Sequence, residues 1–105
     1  MTEPLTLGTT RGGDGRLVLN AAGEIDLTNI DVFSRALVDA TTEATASGAP
    51  LTVDFSAVEY LDSAAINALY NLAEPIHLIA NPVLMRSLTV SGLAEVITIE
   101  ASPTE

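Results

Sequence analysis

Residues 53–65 read Val-Asp-Phe-Ser-Ala-Val-Glu-Tyr-Leu-Asp-Ser-Ala-Ala, and this stretch decides the fold. Apolar side chains alternate with polar ones over residues 51–55, which predicts a short strand. The more polar segment 56–62 predicts a loop. Asp and Ser are favoured at helix starts, so a helix is expected to begin near Ser63.

On the N-terminal side, strands are predicted at residues 5–10 and 16–22, joined by a Gly-rich hairpin turn at 11–15. A loop over 23–29 then leads into an amphipathic helix that ends at Ser-Gly-Ala-Pro, residues 47–50. The core stripe of this helix consists of Ile30, Phe33, Leu37, Ala40 and Ala44.

On the C-terminal side, the second helix is expected to end at Pro75, and a strand follows at 76–80. A third helix begins at Pro82 and stops at Gly92, before a strand at 96–99. Residues 101–105 are expected to fray. The remaining predicted core residues are Ile66, Leu69, Ala73, Leu84 and Leu88.

The element order is therefore β-β-α-β-α-β-α-β. Strand–helix–strand repeats predict parallel pairing after the opening hairpin. Residues 1–105 are expected to form a single α/β domain, with a mixed, mainly parallel sheet of about five strands and three or four helices.

The composition is strongly acidic, with 14 Asp and Glu against 4 Lys and Arg and a net charge of −10. Direct nucleic-acid binding needs clustered cations, and anionic membranes repel this sign of charge. A basic protein partner fits, although acidity also simply keeps a small domain in solution.

The chain has no Cys and one His, His77, which predicts neither a thiol nucleophile nor a metal site. Without a phosphate-binding loop or a Ser-His-Asp arrangement, an enzyme is not expected, and no cofactor is expected. The sequence shows no signal peptide and no apolar run of about 20 residues, so the cytoplasm is the expected location.

Three landmarks occur in order along the chain: Gly-Glu-Ile-Asp-Leu at 23–27, the 53–65 stretch, and Asn81-Pro82 followed by Ser-Gly-Leu at 91–93. Together they resemble the STAS-domain anti-sigma-factor antagonists of bacteria, over nearly the whole chain. Two departures stand out. Ala65 occupies a position where the family usually has Gly, and no basic, Gly-containing loop precedes the fourth strand.

The resemblance implies that Ser63 is the phosphoacceptor. The unphosphorylated protein would bind an anti-sigma factor that is also a serine kinase using Mg-ATP, and would thereby release a sigma factor during a stress response. Phosphorylation would break the complex, with the phosphate accepted by free N–H groups of the helix start, and a serine phosphatase would restore it. The implied partner-binding residues are Asp26, Thr28, Asn29, Asp54, Ser56, Asp62, Ala64 and Ala65.

Structural roles remain open for the same residues. Ser63 could cap the second helix, Asp26 could shape its loop, and Thr28 and Asn29 could cap the first helix. A turn is the favoured role for Ser56, a solvated strand end is open for Asp54, and loop packing is favoured for Tyr60. Other functions also remain open: a STAS accessory subunit of a transport or stress-signalling complex, a ligand sensor, or a binding module that is never phosphorylated.

Overall fold

The computed structural model describes residues 4–13, 15–72 and 76–102. They form an α/β fold with one five-stranded sheet, in which the strands lie side by side in the order of the sequence. Short 3₁₀ turns at Pro82–Leu84 and Leu93–Glu95 flank the third helix. The elements are β1 (Thr6–Arg11), β2 (Leu17–Ile25), α1 (Ile30–Ser47), β3 (Leu51–Leu61), α2 (Ser63–Tyr70), β4 (Ile76–Ala80), α3 (Met85–Val90) and β5 (Thr98–Ala101).

Strand pairing follows the predicted topology. β1 pairs with β2 in an antiparallel manner, and β2, β3, β4 and β5 are parallel neighbours. Each parallel step is made by a connection containing a helix or a helical turn, as such crossovers require. The α/β class, the mixed sheet and the element order are confirmed.

The helices cover one face of the sheet. Along β2, buried and half-buried residues alternate, so one side of the strand faces the core. The buried faces of all three helices join the same hydrophobic core. The rings of Phe33 on α1 and Phe55 on β3 lie 5.8 Å apart at this layer boundary. The opposite face carries half-buried Asp54 and His77 and has no helix against it among the described residues.

Two strands extend further than predicted. β2 runs to Ile25 and β3 to Leu61, so much of the loops predicted at 23–29 and 56–62 is strand. Register irregularities in β3 place one extra residue after Asp54 and another after Val58. Because of these bulges, the buried residues after Phe55 come at intervals of three, a spacing that does not look like a strand in sequence.

The C-terminal strand also lies differently from its prediction. β5 spans Thr98–Ala101 and not residues 96–99, because a 3₁₀ turn after the left-handed Gly92 takes up the preceding residues. The tail does not fray from residue 101: the N–H of buried Ser102 donates to the carbonyl of Ala80 at 2.7 Å. Residues 103–105 lie outside the described residues.

The predicted helix ends are confirmed for α1 and α3, whereas α3 begins at Met85 and not at Pro82, because residues 82–84 form a 3₁₀ turn. α1 begins at Ile30 and ends before Gly48, which has φ of 81°. α3 ends before Gly92 as predicted. α2 ends earlier, at Tyr70, and Ala73 and Pro75 lie outside the described residues. Of the described helices, none has both the length and the apolar character to cross a bilayer.

Candidate functional site at the start of helix α2

The candidate site lies where β2 and β3 end side by side. Ile25 and Leu61 are register partners in this parallel pair, so Asp26 and Asp62 follow at the same edge of the sheet. The N–H of Asp62 donates to the carbonyl of Ile25 at 3.2 Å. The loop after β2 and the start of α2 therefore form one continuous surface.

Asp62 links the two segments. Its Oδ1 accepts from the N–H groups of Ala64 at 2.9 Å and Ala65 at 3.2 Å, which makes it the N-cap of α2. Its Oδ2 accepts from the N–H of Leu27 at 2.9 Å. One carboxylate thus satisfies donors of the helix start and of the neighbouring loop.

Ser63 is the first residue of α2 and is exposed. Because Asp62 caps the helix, the interpretation of Ser63 as the cap is wrong. The Ser63 hydroxyl makes no hydrogen bond within residues 4–13, 15–72 and 76–102. It is therefore open to solvent and to an approaching protein.

The loop before α1 is held by its own side chains. Asp26 Oδ1 accepts from the N–H of Thr28 at 2.9 Å and also from the Thr28 hydroxyl. Asn29 Oδ1 accepts from the N–H of Asp26, and its Nδ2 donates to the carbonyl of Glu24, both at 2.9 Å. Asp26 therefore shapes the loop. Asn29 is the N-cap residue of α1 but makes no side-chain cap, and Thr28 does not cap the helix, contrary to prediction.

Asp26 carries a stabilised negative charge. The hydrogen bond from the Thr28 hydroxyl, followed by the one from the Thr28 N–H, lowers the pKa of Asp26 below its ordinary value of 3.8. Asp26 and Asp62 follow the paired ends of β2 and β3, and Ser63 comes directly after Asp62.

Comparison with known proteins connects this arrangement to a family. Residues 9–99 match the family described as "Mlab, STAS domain". The chain belongs to the STAS domain family.

Solved structures agree with this assignment. An anti-sigma factor antagonist from Mycobacterium paratuberculosis is 27% identical, with a TM-score of 0.73 over 96% of this chain and 87% of that one. The anti-sigma factor antagonist SpoIIAA in its unphosphorylated form is 13% identical, with a TM-score of 0.66 over 90% of this chain and 88% of its own.

A protein of the DUF3478 family from Shewanella loihica PV-4, with a SpoIIAA-like fold, is 14% identical, with a TM-score of 0.55 over 99% of this chain and 89% of its own. A search of curated proteins found no match. The resemblance identified from the three landmarks is confirmed at the level of family and fold.

This STAS domain presents an exposed leucine that is hydrogen-bonded to Asp62, the residue before Ser63. Leu27 is 73% exposed, although its N–H is held by Asp62. We define the Ser63 surface as Asp26, Leu27, Thr28, Asp62 and Ser63. Leu27 was not predicted, and its position between two polar residues in a loop is the signal that could have found it.

Other predicted site residues lie differently from expectation. Ala65 is fully buried, so its side chain is unavailable to a partner, whereas Ala64 is half-buried. Tyr60 is 48% exposed, so the prediction that it packs the loop is wrong. It pairs in register with Glu24 near the end of β3.

Asp54 and Ser56 are not part of the Ser63 surface. Asp54 lies in the middle of β3, opposite Asn20 and Ile79. It is separated from Leu61 by roughly 20 Å of strand. The N–H of Ser56 donates to Asp54 Oδ1 at 2.8 Å, and its hydroxyl donates to the same oxygen. Ser56 therefore lies at a bulge within β3 and not in the predicted turn.

His77 lies on β4, away from the Ser63 surface. Its Nε2 lies 2.6 Å from Glu100 Oε1, within ion-pair distance but without the alignment of a hydrogen bond. The contact joins β4 to β5 on the face without helices.

Proposed function

We propose that this STAS domain is an anti-sigma-factor antagonist whose Ser63 surface binds an anti-sigma factor that is also a serine kinase. One observation carries the proposal: the Ser63 hydroxyl is exposed and unbonded within the described residues, while its neighbour Asp62 performs the capping. A kinase can therefore reach the hydroxyl without opening the helix.

The unphosphorylated surface has the composition of a binding site. Leu27 offers an exposed apolar side chain in a loop that is fixed at both ends by hydrogen bonds. A preorganised loop loses little conformational entropy on binding. The surrounding carboxylates and the net charge of −10 favour a partner with a basic surface.

Phosphorylation of Ser63 removes the complementarity between this surface and its partner. A phosphate on Ser63 adds about −1.5 to −2 charges beside Asp62 and Asp26. The N–H groups of Ala64 and Ala65 already donate to Asp62, so they are not free to accept the phosphate, contrary to the expectation from sequence. Burying an unpaired charge costs several kcal/mol, and each ~1.4 kcal/mol lowers affinity tenfold. The complex therefore separates until a serine phosphatase removes the group.

In this function the domain is a binding module and not an enzyme. Mg-ATP belongs to the partner kinase, and the domain itself carries no cofactor. The consequence of binding is release of a sigma factor for transcription in the bacterial cytoplasm.

The test incubates the purified domain with candidate anti-sigma kinases and Mg-ATP, and follows intact mass together with complex formation. One added phosphate with loss of the complex is expected. Ser63→Ala should bind without modification, and Ser87→Ala, which removes an exposed serine on α3, should behave as the unaltered domain. Absence of both binding and modification with the cognate kinase would contradict the proposal.

A second candidate is an accessory subunit of a transport or stress-signalling complex. The observation that favours it is the description of the matching family, which names Mlab. Co-purification with a transport ATPase, unaffected by Ser63→Glu, would select it. Tight anti-sigma binding without phosphate transfer would instead indicate a constitutive binding module.

A further inference from the structure

β1 is an outer strand of the sheet and pairs only with β2. The N–H of Gly12 donates to the carbonyl of Arg16 at 2.8 Å, which closes the hairpin with a hydrogen-bonded pair. Because such pairs alternate along an antiparallel ladder, the N–H and C=O groups of Leu7 and Thr9 point away from β2. No residue of the described ranges pairs with them, so β1 offers main-chain donors and acceptors to another strand.

A trough runs between this free edge and α1. Two adjoining cavities of about 330 and 300 Å³ share Leu7, Ala36 and Asp39. Leu7 and Ala36 are half-buried and make an apolar floor. We call the surface formed by Leu7, Thr9, Asp31, Arg35, Ala36 and Asp39 the β1 trough. A strand added to β1 would place alternate side chains over it.

The wall of the trough on α1 carries alternating charge. Asp31, Arg35 and Asp39 follow one another at intervals of four residues and all line the same cavity. Within the described ranges, none of the three forms an ion pair. Successive charges lie about 6 Å apart along the helix axis. Alternate residues of an extended chain repeat at about 6.7 Å, so three of them can stand opposite these three charges.

We propose that the β1 trough binds an extended segment of a partner protein by strand addition, with a basic, an acidic and a basic side chain at alternate positions facing α1. The main-chain groups of Leu7 and Thr9 supply affinity, and the Asp31-Arg35-Asp39 row supplies selectivity. The basic-acidic-basic pattern reads the same in both directions, so the added segment can pair with β1 in a parallel or an antiparallel manner. A second copy of β1 does not fit, because its helix-facing residues include no acid to meet Arg35.

The test uses the peptide Thr-Lys-Val-Glu-Val-Lys-Thr and its charge-reversed counterpart Thr-Glu-Val-Lys-Val-Glu-Thr, with amide chemical shifts followed by NMR. The first should bind about tenfold more tightly, since three exposed ion pairs change sign together. Shifts should centre on the amides of Leu7 and Thr9. Ser63→Ala should leave peptide binding unchanged, so this test is independent of the proposed function.

Charge exchange tests the register directly. Arg35→Glu should weaken binding of the first peptide about twofold, because one of the three ion pairs changes sign, and replacing the central Glu of the peptide by Lys should restore it. Arg86→Glu makes the same charge change on exposed α3 and should have no effect. Thr9→Pro removes one outward N–H and should also weaken binding, provided the spectrum of the free variant shows the native fold.

Four results would overturn the proposal. Equal binding of the two peptides would show that the Asp31-Arg35-Asp39 row does not select between charge patterns. Equal losses in Arg35→Glu and Arg86→Glu would show that the loss does not come from the β1 trough. Absence of chemical-shift changes at the amides of Leu7 and Thr9 would rule out strand addition to β1. Protection of these amides that rises with protein concentration, without peptide, would assign the edge to a second copy.

Discussion

Two Asp–hydroxyl pairs, one in the middle of β3 and one at the start of α2, show opposite uses of the same chemistry. In Asp54 and Ser56 the hydroxyl lies two residues after the acid and is bound to it, within a strand bulge. In Asp62 and Ser63 the hydroxyl comes directly after the acid and is free, because the carboxylate binds the N–H groups further along the helix.

From this difference we expect sequence spacing to influence whether a hydroxyl beside an acid is available for modification. The loop before α1 supports this rule, since Thr28 lies two residues after Asp26 and also donates its hydroxyl to it. Both bound hydroxyls stabilise local backbone. Only the adjacent pair leaves a serine exposed at the edge of the sheet.

The largest expected effect concerns phosphate transfer. With the cognate kinase, Ser63→Ala should abolish incorporation of phosphate into the domain, because it removes the free hydroxyl. Ser56→Ala should leave incorporation at the level of the unaltered domain, because that hydroxyl is bound to Asp54. Intact-mass spectrometry measures both. Phosphate incorporation that persists in Ser63→Ala and disappears in Ser56→Ala would contradict this expectation, because the bound hydroxyl and not the free one would then be the phosphoacceptor.

The next effect is on stability. Asp62→Ala leaves the N–H groups of Ala64, Ala65 and Leu27 without their acceptor and should lower the free energy of unfolding by about 2 kcal/mol. Asp54→Ala loses acceptors only within one bulge and should cost about 1 kcal/mol. Urea unfolding measures both values.

Asp62→Asn is the control for charge, since Asn caps helices as well as Asp does, and it should cost less than Asp62→Ala. If Asp54→Ala proved the more destabilising of the two alanine variants, the hydrogen bonds of Asp54 in the bulge would contribute more to stability than those of Asp62 at the start of α2.

Local chemistry made much of the fold predictable. β4 spans residues 76–80 as predicted for the short apolar segment after Pro75, and the left-handed Gly92 follows the end of α3. The second half of β3 was not predictable, because two bulges turn a strand into a pattern with buried residues every third position. Bulges depend on pairing with β2, which local sequence does not contain.

The candidate site, like the fold, was only partly predictable from the sequence. The adjacency of Asp26 and Asp62 required the observed ends of β2 and β3, since the predicted strands end at residues 22 and 55, and the distance of Asp54 from that edge required the length of β3. The choice between Asp62 and Ser63 as the cap could not be made from sequence, since both residue types are favoured caps. Packing placed Ala65 in the core although it lies in the same helical turn.

Ala65→Gly tests whether the family's usual glycine matters for phosphate transfer. The substitution should lower stability by about 1 kcal/mol, through helix propensity and the loss of a buried methyl group. It should leave the rate of transfer to Ser63 unchanged, because the Ala65 side chain faces the core and not the partner. Kinase assays under conditions where the variant is fully folded separate the two effects. Faster transfer with Gly would show that the backbone of this turn limits the kinase.

The smallest effect is electrostatic and compares the two bound hydroxyls. Thr28 lowers the pKa of Asp26, so the folded state binds its proton more weakly than the unfolded state does. This stabilisation is present above the unfolded pKa and is lost as pH falls through the folded value, in the acid range below about 4.

Thr28→Val keeps the shape but removes the hydroxyl donor, and should raise the pKa of Asp26 toward 3.8 in a carboxyl-carbon NMR titration. Ser56→Ala removes the corresponding hydroxyl in β3 and should leave the Asp26 titration unchanged, because it lies in a different part of the sheet. An unchanged titration in Thr28→Val would mean that the backbone N–H of Thr28 alone holds the carboxylate, and the hydroxyl would then be available to a partner after all.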